Sequence, residues 1–355
     1  MPERPGGSPQ LALFGGGALR GGGNAPAPPQ EGVERHRAPA RPVLPAPRDP
    51  ALVALSGCLP TRLRLGTSSW GYAGWGDAVW GEPATDARLS REGLSAYAAH
   101  PLLRTAGVDR AWYAPLAERD AASLAAQVPE DFRFLVKAHE DLTVATFPRH
   151  ARYGARAGAH NPRFLDPAYA CEGVLGPLRA GMGPKLGVLL VPFTPQPVAA
   201  LGGIGPFSER LHALLAALVR AAEGTCHVAV ELRTPGLLVP EVAGAIHAAG
   251  AVPGLVAWSG MPSVTVQAAR LDADRAPARV LRWMLHAGFV HEAAAARYAP
   301  FGRLVDPDPV TRAALAALVR ADRDTFVVVN NKAEGSAPAS VVALARAVAE
   351  AAPAR

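Results

Sequence analysis

Cysteine is scarce in this chain: Cys58, Cys171 and Cys226 are the only three among 355 residues, and no two form a C-x-x-C pair. An odd, scattered set of thiols excludes a disulfide framework and a structural zinc ribbon, and it suits a reducing compartment. Long apolar runs are missing as well. No stretch approaches the ~18 uninterrupted apolar residues of a membrane-spanning helix. The first residues lack the basic start, apolar core and small-residue cleavage site of a secretory leader, so the expected location is the cytoplasm. Basic residues outnumber acidic ones, 36 to 30, for a net charge of +6. They are scattered, with no Lys/Arg run, which makes a weak case for nucleic acid and a better one for a solvated surface.

What the chain does have is apolar bulk, with 49% hydrophobic and 19% charged residues. That composition supplies a sizeable core and excludes global disorder. Residues 1–60 differ from the rest. They are dominated by Pro and Gly, in runs such as GGGALRGGGNAPAPPQ and APARPVLPAPRDP. Such a segment buries too little apolar surface to offset its ordering entropy, so it reads as a disordered arm ahead of a single domain over residues 61–355. Its Gly triplets are no phosphate loop, because no G-K-[ST] follows them.

From Leu63 onward short apolar runs alternate with Ala/Leu-rich amphipathic stretches. Eight segments read as strands: 63–68, 106–112, 132–138, 187–193, 227–233, 253–259, 279–285 and 325–331. Eight strand–helix alternations predict an α/β fold, a closed (β/α)8 TIM-like barrel. A doubly wound open sheet is the alternative, but the Gly-rich first turn it usually carries is absent.

Side chains alternate faces along a strand, so a charge on an otherwise apolar strand identifies the lumen side. By this rule Lys137, Glu231, Arg233 and Arg282 point inward, and Asp109 lies opposite Val108. Each sits in the C-terminal half of its strand, which is the functional rim of this architecture. The last strand leads into Asn330, Asn331 and Lys332, then Gly335. Ser336 is a candidate N-cap and Pro338 fits the first turn of a final helix. That helix N-terminus, with Lys332 and Arg282 nearby, predicts an anion site. An ordinary capped turn is the alternative.

These same stretches resemble the YecE-like family, the domain of unknown function 72, over roughly residues 62–351. The matching segments include GTSSWGYAGW (66–75), DFRFLVKAHEDLT (131–143), AVELRTP (229–235), LRWMLHAGF (281–289), RYAPFGRLVDPDPVTR (297–312) and NNKAEGSAP (330–338). The resemblance implies a TIM-like barrel with no established activity. Its characteristic polar positions fall here on Ser68, Trp70, Asp109, Lys137, Glu231, Arg233, Arg282, Asn330, Asn331 and Lys332. Two positions depart from the family: Gly107 where many members carry Glu, and Pro192 where they carry Gln. Both thin the acidic and amide functions of the pocket.

An excess of inward cations selects a phosphorylated or carboxylated ligand. Glu231 is the expected general acid or base, with Lys137 and Asp109 as further catalytic candidates. Pairing of Glu231 with Arg233 is the competing, structural reading. Ser68, Trp70, Arg233, Arg282, Asn330, Asn331 and Lys332 are the expected ligand contacts. His139, Glu140, Asp141, His286 and His291 are the residues to weigh for a metal, but they lack a metal-binding spacing, so neither metal nor cofactor is expected. The functional expectation is a hydrolase or lyase acting on an anionic small molecule. The alternative is a non-catalytic protein that binds such a ligand or a nucleic acid.

Overall fold

The computed structural model describes residues 41–351. Its centre is a closed barrel of eight parallel strands in sequence order. They are β1 (Leu63–Thr67), β2 (Leu103–Val108), β3 (Arg133–Lys137), β4 (Leu186–Phe193), β5 (His227–Leu232), β6 (Val252–Ala257), β7 (Arg279–Trp283) and β8 (Thr325–Val329). β8 closes onto β1 in unbroken register, from Leu63 opposite Thr325 to Thr67 opposite Val329. Helices follow the strands and cover the outside, ending in the helix Ala337–Ala351. The expected (β/α)8 barrel is therefore present. No helix among the described residues is long and apolar enough to cross a membrane.

Strand alternation divides the apolar residues as expected. Outward-facing Phe134, Val136, Val228, Val230, Leu232, Leu281 and Trp283 join the main core beneath the helices. Inward-facing Leu135, Val188, Leu190, Ala229, Val252, Val280, Phe326 and Val328 form a separate plug that fills the lumen. One pleat further along four of these strands stand Lys137, Glu231, Arg282 and Asn330. The spacing of two residues stacks each polar group on an apolar one, so the lumen is dry below and charged above.

Two sequence expectations need correction. The second strand runs over Leu103–Val108 and not over 106–112, because the chain turns into a 3-10 helix at Asp109–Trp112. Asp109 is thus the first residue past the strand, at the rim. The Pro-rich arm also ends earlier than residue 60. Val43 is buried, Pro45 bridges to Trp80, and Pro50–Gly57 form a helix. Asp49 accepts from the Ala51 N–H at 2.8 Å, and Pro50 opens that helix. A local cap-and-proline start outweighs the disorder-prone composition there. The remainder of the arm, residues 1–40, lies outside the described residues.

Candidate functional site at the barrel mouth

The charged layer is one connected network. Lys137 Nζ lies 2.9 Å from Asp109 Oδ2. Arg282 spans two carboxylates, with Nη1 2.8 Å from Glu231 Oε2 and Nη2 3.7 Å from Asp109 Oδ1. Arg233 grips the other Glu231 oxygen, with Nε and Nη2 at 2.7 and 2.6 Å from Oε1. Lys137, Glu231 and Arg282 from β3, β5 and β7 therefore converge with Asp109 and Arg233, which lie just past β2 and β5. Lys137, Glu231 and Arg282 are fully buried, whereas the Asp109 side chain remains 29% exposed. Asp109 is the member of the network that meets the opening.

The electrostatics assign different parts to the two carboxylates. Burial by itself would raise the Glu231 carboxyl, but Arg233, Arg282 and then Lys137 outweigh it and hold it down at about 2. A carboxyl ionised at neutral pH has no proton to give as a general acid and is a weak base, so its pairing with the two arginines favours the structural reading of Glu231 over the acid or base role. It is the anionic hub that orients two guanidiniums. Lys137 shifts the other way. Desolvation lowers its ammonium to about 8, with Arg282 and Arg233 adding to the effect and Asp109 opposing it. That value leaves a useful fraction of free amine near neutrality.

The loop after β8 supplies the remaining contacts. Asn330 Nδ2 donates to Ser68 Oγ at 2.8 Å, which clips this loop to the end of β1. Asn330 Oδ1 accepts from the Lys332 N–H at 3.0 Å, a local turn that fixes the lysine backbone. Lys332 is 5% exposed. Among the described residues its ammonium has no carboxylate within salt-bridge reach. It sits 5.8 Å over the Phe301 ring, and Asp109 acts on it only at longer range.

Two expected ligand contacts, Asn331 and Trp70, also make hydrogen bonds to the scaffold. Asn331 Oδ1 accepts from Trp75 Nε1 at 3.0 Å and from the Ala337 N–H at 2.8 Å. Asn331 thus supplies a side-chain cap to the first N–H of the last helix, from before the expected cap residue Ser336. Trp70 packs in the core and donates to the Ser90 carbonyl at 3.1 Å. Its indole N–H is therefore already paired within the scaffold.

The two family departures have a structural sense. A Cβ on Gly107 would stand 2.7 Å from the Ser68 carbonyl oxygen, so the backbone just past β1 occupies the space a Glu would need. Pro192 lies opposite Glu231 in the β4–β5 register, beside the buried hub.

The metal candidates are engaged elsewhere. Glu140 is held by Arg152 and, at 3.0 Å, by Tyr153 Oη, while Asp141 pairs with Arg156 at 3.2 Å. His139 shares a 2.8 Å hydrogen bond with Tyr169 Oη. Among the described residues no three His, Cys, Asp or Glu side chains are grouped to hold a metal ion. Burial and then the charges of Lys332, Arg233 and Lys137 lower the His291 imidazole to about 4, so it stays neutral within range of those cations. Tyr72, edge-on against Phe301, is a neighbour of the mouth that alternation could not reach, since it lies beyond β1; burial and Asp109 push its hydroxyl up to about 12. A compositional signal for the site was available. The whole chain has three lysines, Lys137, Lys185 and Lys332, and two of them stand here.

Fold and site together define a (β/α)8 barrel with an arginine- and lysine-rich mouth. The chain belongs to the DUF72 family, whose model, described as a protein of unknown function, matches residues 64–355. Two solved structures of DUF72 family proteins share the fold. One, from Enterococcus faecalis V583, is 20% identical, with a TM-score of 0.52 over 81% of this chain and 95% of its own. The other, from Thermotoga maritima MSB8, is 16% identical, with a TM-score of 0.51 over 80% and 98%. No curated protein matches the chain.

Proposed function

We propose that the barrel mouth binds a small anion, phosphorylated or carboxylated, and that the protein is a hydrolase or lyase using Asp109 and Lys137 as its proton-transfer pair. The observation that carries the reading is the charge balance. Four cationic side chains, Lys137, Arg233, Arg282 and Lys332, face two carboxylates, and among the described residues Lys332 has no carboxylate within salt-bridge reach. Cations held out of water are costly unless neutralised, and a dianionic ligand would balance this set. Arg282 adds to the case, because its Nε is buried with no hydrogen-bond partner among the described residues.

In this scheme Lys332 fixes the anionic group of the ligand, and Asp109 takes up or delivers the proton. Lys137, 2.9 Å behind Asp109, resupplies or drains that proton and stabilises the developing charge. Glu231 keeps Arg233 and Arg282 in place without titrating.

The test is turnover of a panel of phosphorylated and carboxylated metabolites by the full chain and by Asp109→Asn. A member of the panel that the parent converts and the variant only binds supports the reading. Binding without conversion by either protein removes the enzyme and leaves an anion receptor. Binding of neutral compounds alone refutes both.

A further inference from the structure

The segment RYAPFGR (297–303) is prominent in the sequence, and nothing in the proton-transfer scheme employs it. Its centre is unusual. Phe301 has φ +70, in the left-handed region that a bulky non-glycine residue seldom enters. Neighbouring backbones lock it there. A Cβ on Gly74 would fall 1.7 Å from the Pro300 carbonyl oxygen, and one on Gly302 would fall 2.7 Å from the Gly74 carbonyl oxygen. The loop after β1 and the Phe301 segment are therefore pressed main chain to main chain, at contacts that only glycine permits.

The consequence is the placement of one aromatic ring. Phe301 meets Tyr72 edge-on, with centroids 5.6 Å apart, and Tyr72 rests on Trp75 at 5.1 Å. Trp75 is buried and donates to Asn331. The Phe301 ring also carries Lys332 Nζ, 5.8 Å from its centroid. An ammonium needs a partner to hold one position. A carboxylate would do this by cancelling the charge, whereas an aromatic face does it and leaves the charge available.

We infer that Phe301 is a positioning residue for the anion site: its ring, held in a left-handed turn, orients the Lys332 ammonium toward the ligand without neutralising it. This rests on the anion-binding reading above. It assigns the phosphate-recognising role within that reading to the Phe301–Lys332 pair.

The experiment is calorimetric titration of the full chain with inorganic phosphate, for the parent and for Phe301→Leu, Phe301→Tyr, Phe301→Gly and Lys332→Met. Loss of the aromatic face is expected to weaken phosphate by roughly five- to thirty-fold in Phe301→Leu. Phe301→Tyr is expected to bind as the parent does. Phe301→Gly suits a positive φ, so it is expected to fold and still bind weakly, which separates positioning from a folding defect. Lys332→Met is expected to abolish binding. If Lys332→Met loses phosphate while Phe301→Leu and Phe301→Gly keep the parent affinity, the inference falls and the anion site stands. If the parent does not bind phosphate, or Lys332→Met binds it unchanged, the anion site fails and this inference with it.

Discussion

Glu231→Gln removes one charge and almost no volume from the centre of the network. Arg233 and Arg282 then face a neutral amide while remaining 2% and 0% exposed. Breaking a buried ion pair by removing one partner typically costs about 3–5 kcal/mol, because the remaining charges stay out of water. Linkage gives a second route to the size. The carboxyl lies at about 2 in the fold against an ordinary 4.5, a difference worth about 3 kcal/mol. The group's folded pKa is depressed, so its contribution is complete above the unfolded value and fades as pH falls from about 4.5 toward 2. Equilibrium urea unfolding at pH 7 and at pH 3 measures both statements. The parent should lose stability between those pH values by more than Glu231→Gln does, and the variant should be less stable by about 3 kcal/mol at pH 7. A variant within 1 kcal/mol of the parent at pH 7 would refute the view that Glu231 organises the two arginines.

Other outcomes follow from the same geometry. Lys137 should titrate near 8, observable by NMR of lysine labelled at Cε, and Asp109→Asn should move it lower, since Asp109 is the group that opposes the desolvation. The parent should gain stability as pH rises from about 8 toward 10.5, because over that window the unfolded chain holds a proton on Lys137 that the folded chain has released. Gly107→Glu should destabilise the barrel rather than restore a family function, since the Ser68 backbone fills that space; a melting temperature equal to the parent's would overturn this. Trp70→Phe should leave phosphate affinity unchanged in calorimetry, as its indole is bonded to Ser90 and buried.

The inward set of the barrel was legible because period-two alternation is a local property. Lys137, Glu231 and Arg282 each interrupt an apolar strand, and an interruption of that kind has one geometric reading. The scaffold bonds of Asn331 and Trp70 could not be read from the sequence for a common reason. Their partners, Trp75 and Ala337 for the one and Ser90 for the other, lie in loops and helix ends whose packing no periodicity encodes. The protonation of Glu231 was likewise beyond the sequence. Pairing with Arg233 two residues away was foreseeable, but the second guanidinium arrives from β7, 51 residues on, and it is the pair that holds the carboxyl down. Phe301 and Tyr72 come from connecting segments outside the strands, where alternation says nothing. The lysine count was the overlooked clue. In a chain that otherwise uses arginine, two of the three lysines stand at the mouth, where a compact ammonium differs from a guanidinium in shape and hydration.

That same scarcity allows a direct test of whether residues from opposite ends of the domain share one anion-binding mouth. With lysine labelled at Cε, the spectrum of the full chain holds three side-chain signals, and inorganic phosphate can be titrated against all of them at once. Lys332 and Lys137 are expected to move together along one saturable curve, while Lys185, bonded to the Ala125 and Val128 carbonyls at 3.0 and 2.9 Å, stays fixed. Signals that do not move, or a response confined to Lys185, would contradict the account.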